Sequence, residues 1–341
     1  MISDQPELAL DRIECAARTL GAGGLVAFPT ETVYGLGADA ENVGAVERVF
    51  AVKGRPTTHP LIVHLGGAHQ LAEWAADVPD TAHLIAERFW PGPLTLVLRR
   101  ADRVPRAVTG GLDTVALRAP NHPVALETLT AFGGGVAAPS ANRFGEVSPT
   151  TARHVREGLG ADVDYVLDGG PCSVGVESTI VDLTGEPAIL RPGGVSREDL
   201  EHVLGRAVSV RAKSAVRVPG QFPSHYAPRA RVLLVEPDRV LDNAELLVGR
   251  GRRVGVLLPP EFAGDAASCS ARHVIAVPDS AAQYAQRLYE FLHDFDRHEC
   301  EVIVASLPSP EGIGSAIADR LGRAAGPRDQ ASRDSDRFNG R

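Results

Sequence analysis

Glu177-Ser178-Thr179-Ile180-Val181-Asp182-Leu183-Thr184-Gly185-Glu186-Pro187-Ala188-Ile189-Leu190-Arg191 reads as two strands, 177–183 and 187–191, that follow one another directly. So few residues lie between them that no crossover helix fits, and neighbours joined so tightly pair antiparallel. Working outward, apolar runs predict strands at 24–29, 61–65, 94–99, 114–118, 135–138 and 164–168. Helical spacing appears near 79–89, 121–132, 150–159 and 196–205. At the N-terminus, Leu8, Ile13, Ala16, Ala17 and Leu20 form one apolar face, and a second helix starts at Asn42 as N-cap and runs through Val43, Val46, Val49 and Phe50. Strands outnumber helices, which predicts an α/β domain built on a mixed, twisted sheet rather than a strict βαβ array.

Beyond residue 205 the pattern changes. Arg206, Arg211, Lys213 and Arg217 occur with no acidic residue up to Val218, and Pro219-Gly220-Gln221-Phe222-Pro223-Ser224-His225-Tyr226-Ala227-Pro228 adds three prolines that disfavour regular structure. Four later runs, 232–235, 254–258, 273–277 and 302–305, read as buried parallel strands separated by helical stretches. The expected division is a first domain at 1–205, a linker at 206–230, a smaller Rossmann-like parallel α/β domain at 231–326 and a disordered polar tail at 327–341.

Composition narrows the function classes. The 341 residues are 44% hydrophobic and 23% charged with a formal net charge of -8, which argues against coating nucleic acid through bulk electrostatics. Cys15, Cys172, Cys269 and Cys300 show neither CxxC pairing nor zinc-ligand spacing, so reduced thiols in a cytoplasmic protein are expected. The N-terminus lacks the basic start and apolar core of a secretory signal, and no apolar run approaches the ~20 residues of a membrane span. There is no GxxxxGK[ST] loop, no HExxH, no GxSxG and no GxGxxG after a strand; Gly312-Ile313-Gly314 reads as a helix-start turn.

Several clusters remain that suit an anionic ligand. Lys53-Gly54-Arg55-Pro56, followed by His59-Pro60, places two cations at a helix-to-strand junction. Ala138-Pro139-Ser140-Ala141-Asn142, with Ser148, puts small hydroxyls and amides in a turn, a nest for phosphate oxygens. Thr114 to Arg118 is a strand ending in arginine, while Ser178-Thr179 and Arg191-Pro192-Gly193 add hydroxyls and a further cation. Each also has a purely structural reading. Lys53 and Arg55 complement a helix end, Ser148 caps the helix near 150, and Arg118 is an edge charge.

Taken in order, PTETVYGLGAD (29–39), KGRP (53–56), HPLIVH (59–64), WPGPLTLVL (90–98), PSAN (139–142), STIVD (178–182) and RPG (191–193) resemble the threonylcarbamoyl-AMP synthase family, the YrdC/Sua5 group. The resemblance spans roughly residues 10–205, and SHYAP (224–228) with the Rossmann-like end resembles the two-domain Sua5 form. It implies condensation of L-threonine, bicarbonate or CO2 and ATP to threonylcarbamoyl-AMP and pyrophosphate, with Mg2+ accompanying the ATP. The product would pass to the tRNA threonylcarbamoyl transferase machinery that modifies adenosine 37, with weak tRNA contact. By the same resemblance Thr32, His64, Arg118, Ala138 and Ser178 form the threonine set. Lys53, Arg55, His59, Thr114, Ser140, Asn142, Ser148, Arg191 and Tyr226 form the ATP set, with Lys53 and Arg55 neutralising the triphosphate. His59 stands where the family commonly has asparagine, so its contribution is expected to titrate near neutrality. Residues 206–230, through Tyr226, are expected to act as a lid. Three alternatives stay open: an RNA-binding module, a carbamoyltransferase related to hydrogenase maturation proteins, and a nucleotide sensor acting through the second domain.

Overall fold

The computed structural model describes residues 6–211, 217–220 and 225–327. Parts of the expected linker (212–216 and 221–224, including Lys213 and Ser224) and the expected tail from 328 onward lie outside the described residues.

The first sheet has ten strands: β1 (Val26–Phe28), β2 (Gly35–Asp39), β3 (Ile62–His64), β4 (Leu94–Arg99), β5 (Thr114–Arg118), β6 (Val136–Ala137), β7 (Tyr165–Val166), β8 (Thr179–Asp182), β9 (Ala188–Arg191) and β10 (Ser209–Val210). Their order is β10-β9-β8-β4-β5-β3-β6-β2-β1-β7. The sheet is mixed, as the directly joined strands require: β8 and β9 are antiparallel, whereas β3 runs parallel to β5 and β4 parallel to β8. Register then decides the chemistry. In the β3–β5 pair His64 stands opposite Arg118, bringing two functional side chains together from 54 positions apart by subtraction of their numbers.

Two of these strands depart from the sequence reading. Residues 30–37 look like a hydroxyl- and glycine-rich loop, yet β2 begins at Gly35. A Cβ on Gly37 would lie 2.8 Å from both the Phe28 ring and Val136, so glycine is what lets the neighbouring strands close on β2. Strand β10 falls inside the segment read as a linker and is an exposed two-residue edge with no apolar pattern to announce it. The caps divide likewise. Asn42 accepts from the Ala45 amide at 3.1 Å and starts the helix Val43–Lys53. Ser148 does not cap the helix Ala152–Leu159; Thr151 does, accepting from the His154 amide at 3.2 Å.

The second sheet consists of β11 (Arg231–Leu234), β12 (Val254–Leu258), β13 (His273–Ala276) and β14 (Val302–Ala305), all parallel, in the order β11-β14-β12-β13. Every residue of β12 is buried, as expected for a strand covered on both faces. The helix Ala281–Arg297 turns Tyr284, Leu288, Tyr289, Phe291, Leu292 and Phe295 inward, and the helix Gly314–Ala324 buries Ala316, Ile317, Arg320, Leu321 and Ala324. An arginine within that apolar stripe is the exception to explain. Among the described residues no helix is long and apolar enough to cross a membrane.

Candidate active site

A cavity forms where the ends of β3, β5 and β9, the start of β8 and the turn after β6 converge, beside part of the linker. Nine of the residues expected at the site line it: Thr32, Arg55, His64, Arg118, Ala138, Ser140, Ser178, Arg191 and Tyr226.

At one end Arg118 donates through Nη1 to Thr32 Oγ1 at 2.8 Å and through Nε to the Gly92 carbonyl at 3.3 Å. Its Nη2 lies 2.8 Å from Glu31 Oε1, both side chains being only 4% exposed. Removed from water, the two charges depend on each other. Thr30 Oγ1 and Thr32 Oγ1 are 2.9 Å apart, so the hydroxyl row reaches back to the end of β1. His64 packs edge-on against Phe28, and burial first, then the Arg118 charge, lowers its pKa to about 3. It is therefore neutral at pH 7. Ser178, fully buried, shares a 2.8 Å hydrogen bond with Thr95 Oγ1.

The other end is cationic. Arg191 donates to the Ser178 carbonyl from Nε (3.2 Å) and Nη2 (2.8 Å), to Ser178 Oγ from Nη2 (3.1 Å), and to the Pro219 carbonyl from Nη1 (3.1 Å). Arg55 donates from Nη2 to the Pro60 carbonyl at 3.0 Å. Burial is the main cause that lowers its pKa to about 10, so the guanidinium stays charged at neutral pH.

Lys53 departs from the sequence expectation of a free phosphate grip. Its buried ammonium donates to the carbonyls of Ser140 and Asn142, and it does not line the cavity. The helix Val43–Lys53 thus tethers the turn that presents Ser140. Burial above all, with help from Arg55 and Arg143, lowers the lysine pKa well below its ordinary value. Asn142 braces the same turn through the Arg143 and Glu146 carbonyls at 2.8 and 2.9 Å.

His59, Thr114 and Ser148 also lie off the cavity lining. Thr114 stands at the opposite end of β5 from Arg118, paired with Arg99. Ser148 donates to Glu177 Oε1 at 2.7 Å. His59 is buried beside Phe144, and desolvation followed by the charges of Arg55 and Arg217 lowers its pKa to about 4. The expectation of titration near neutrality is thereby corrected.

The described linker residues Pro219, Gly220, His225 and Tyr226 line the cavity from above the cationic end. Tyr226 adopts φ 60, a left-handed conformation that bulky residues rarely take, and is fully buried. Such strain persists only where the surroundings hold it, and it marks a constrained position. Among the described residues the hydroxyl of Tyr226 has no hydrogen-bond partner.

The sequence reading missed Glu31, Glu177, Tyr289 and Arg320. Glu31 balances Arg118, as above. Glu177, the one carboxylate on the lining among the described residues, accepts from Ser148 Oγ, from Tyr289 at 2.8 and 3.1 Å, and from Arg320 Nε at 2.8 Å. Burial pushes its carboxyl up, but Arg320 foremost, then Arg191 and the Ser148 hydroxyl, hold it at about 2. The available signal was an arginine on an otherwise apolar helical face, which needs a buried partner.

The fold and the cavity define an α/β protein with a cavity of arginines and hydroxyls suited to anionic groups and, among the described residues, without a nucleophile–base pair on its lining. The family model of Sua5, YciO and YrdC, described as telomere recombination, matches residues 18–193. The model described as threonylcarbamoyl-AMP synthase, C-terminal domain, matches residues 195–326. The threonylcarbamoyl-AMP synthase of Pyrococcus abyssi is 42% identical over 93% of this chain and 95% of its own length, and that of Bacillus subtilis 39% identical over 96% of each. The crystal structure of Pyrococcus abyssi Sua5 complexed with L-threonine aligns with a TM-score of 0.86 at 41% identity, covering 92% of this chain and 94% of that one. The chain belongs to the Sua5/YciO/YrdC family, with the Sua5 C-terminal domain.

Proposed function

We propose that this protein is an L-threonylcarbamoyladenylate synthase, a nucleotidyltransferase that condenses L-threonine, bicarbonate or CO2 and ATP. The observation that carries the reading is that Thr32, His64, Arg118 and Ser178, suited to a carboxylate, and a cationic end (Arg55, Ser140, Arg191, Tyr226) line one cavity in a chain related along nearly its whole length to threonylcarbamoyl-AMP synthases.

The chemistry needs little beyond what these residues offer. The threonine amine attacks CO2, a C–N bond forms, and the amine proton passes to solvent. A carbamate oxygen then attacks the α-phosphorus in line, and pyrophosphate leaves with the electrons of the broken P–O bond. No enzyme nucleophile takes part, so positioning and charge neutralisation supply the rate. Neutral His64 offers one hydrogen bond without adding a cation beside Arg118. Arg55 and Arg191 face the triphosphate, while Lys53 and Asn142 act through the turn they hold.

Glu177 is engaged with an arginine, a tyrosine and a serine, so among the described residues the cavity lining offers no free carboxylate suited to a resident metal. We therefore assign Mg2+ to the ATP, as part of that substrate. The labile product would be handed to a tRNA threonylcarbamoyl transferase in the cytoplasm, and Tyr226 with its linker would shield the carbamate and adenylate from water.

Incubation with Mg2+–ATP, L-threonine and labelled bicarbonate should yield pyrophosphate and labelled threonylcarbamoyl-AMP in equal amounts. Pyrophosphate release that ignores threonine and bicarbonate would overturn the assignment.

A further inference from the structure

We propose that Arg320, carried by the last helix of the second domain, is a positioning residue for the active site of the first: it fixes how Ser178 and Arg191 face each other. The inference rests on the function proposed above for the chemistry it tunes, and on geometry alone for the positioning itself.

Arg320 is fully buried and reaches three segments of the cavity wall. Its Nε donates to Glu177 Oε2 at 2.8 Å, immediately before Ser178. Its Nη1 donates to the Pro192 carbonyl at 2.9 Å, immediately after Arg191, and to Asp319 at 2.7 Å. The guanidinium also lies 5.1 Å from the centre of the Tyr226 ring, within cation–π range. One planar fork thus joins the start of β8, the end of β9 and the linker.

The segments it joins have little slack. Arg191 is itself bonded to the Ser178 carbonyl and hydroxyl, and a Cβ on Gly193 would lie 2.3 Å from the Glu177 carbonyl oxygen and the Thr179 amide nitrogen. Tyr289, also from the second domain, holds both oxygens of Glu177. If these contacts only glued the domains together, they could sit anywhere on the interface. Instead they end on the residues flanking two cavity side chains. A lysine in place of Arg320 offers one point of charge and cannot span both acceptors in a fixed fork.

The test compares the full-length wild type with Arg320→Met, Arg320→Lys and Arg320→Met/Glu177→Gln. Arg320→Met should lower kcat/KM for ATP roughly 10- to 100-fold, the scale expected for loss of a charge-assisted contact and of orientation. It should also move the acid limb of the pH profile upward, because Glu177 loses its main counter-charge, and speed hydrogen exchange across 177–194. The double variant should return the acid limb toward the wild type but leave the use of ATP impaired, because it restores neither arm of the fork. A contact that served only to neutralise Glu177 would instead be rescued in full by the double variant, and that result would overturn the proposal. If Arg320→Met folds and its kinetics, acid limb and exchange match the wild type, the proposal is wrong. If it does not fold, Arg320→Lys decides: reduced use of ATP at a wild-type melting temperature supports the proposal, and unchanged kinetics overturn it. Absence of product from the wild type would sink the assigned reaction, while the exchange measurement would still report on the positioning.

Discussion

Arg118 lends itself to a quantitative test because it has two jobs that can be separated. Its guanidinium faces the cavity and is also the counter-ion of Glu31, at 2.8 Å with both side chains only 4% exposed. Arg118→Ala therefore strands a buried carboxylate, a change that costs about 3–5 kcal/mol of stability. Independently, it removes the charge-assisted contact proposed for the threonine carboxylate, about 1.5–3 kcal/mol, or roughly a 10- to 150-fold fall in kcat/KM for threonine. The double variant Glu31→Ala/Arg118→Ala removes the stranded charge. Urea unfolding should then show most of the stability restored, while steady-state pyrophosphate release should still show the raised requirement for threonine and an ATP constant changed by much less. Equal effects on the two substrates, or recovery of threonine use in the double variant, would refute the reasoning.

Tyr226→Phe removes a hydroxyl with no partner among the described residues, so unfolding stability should stay within about 0.5 kcal/mol while the apparent ATP constant rises roughly 2- to 13-fold, one hydrogen bond's worth; unchanged ATP kinetics would remove the hydroxyl from the nucleotide site. Lys53→Met should release the Ser140–Asn142 turn and impair ATP more than threonine, with apparent constants for both substrates as the measurement. Three buried histidines, His64, His154 and His225, and the partly buried His293 have pKa values lowered to about 3, 3, 3 and 4, chiefly by desolvation. The folded state then binds fewer protons than the unfolded state between those values and the ordinary 6.5. Stability is full above 6.5 and declines as pH falls through that window, and each histidine kept neutral contributes a slope of about 1.36 kcal/mol per pH unit. Unfolding free energies measured between pH 6 and 5 should fall, and a flat profile would show that these rings charge without unfolding.

How far the sequence could be read depended on the range of the interactions involved. Strands β4, β5, β12 and β14 announce themselves through apolar runs, and Asn42 through its own capping chemistry. By contrast, β2 was hidden because its glycines answer to Phe28 and Val136 on neighbouring strands, not to any local pattern. The same division holds in the cavity. Arg118, Arg55 and Arg191 stand in recognisable strings, but their partners do not: Glu177 and Arg320 are 143 residues apart, and only the docking of the second domain makes them a pair. Lys53 illustrates the remaining gap. Its charge was legible, whereas its attachment to two carbonyls follows from where the Ser140 turn folds.

Gly193 shows how narrow the working tolerance of this enzyme is. It does not line the cavity, yet a single methyl group there would meet backbone atoms at 2.3 Å, more than an ångström inside ordinary contact, and would push the end of β9 away from the start of β8. Misplacement on that scale can cost a factor of ~100 in rate. The width of one hydrogen atom's replacement is thus the margin by which the two halves of the catalytic apparatus stay in tune.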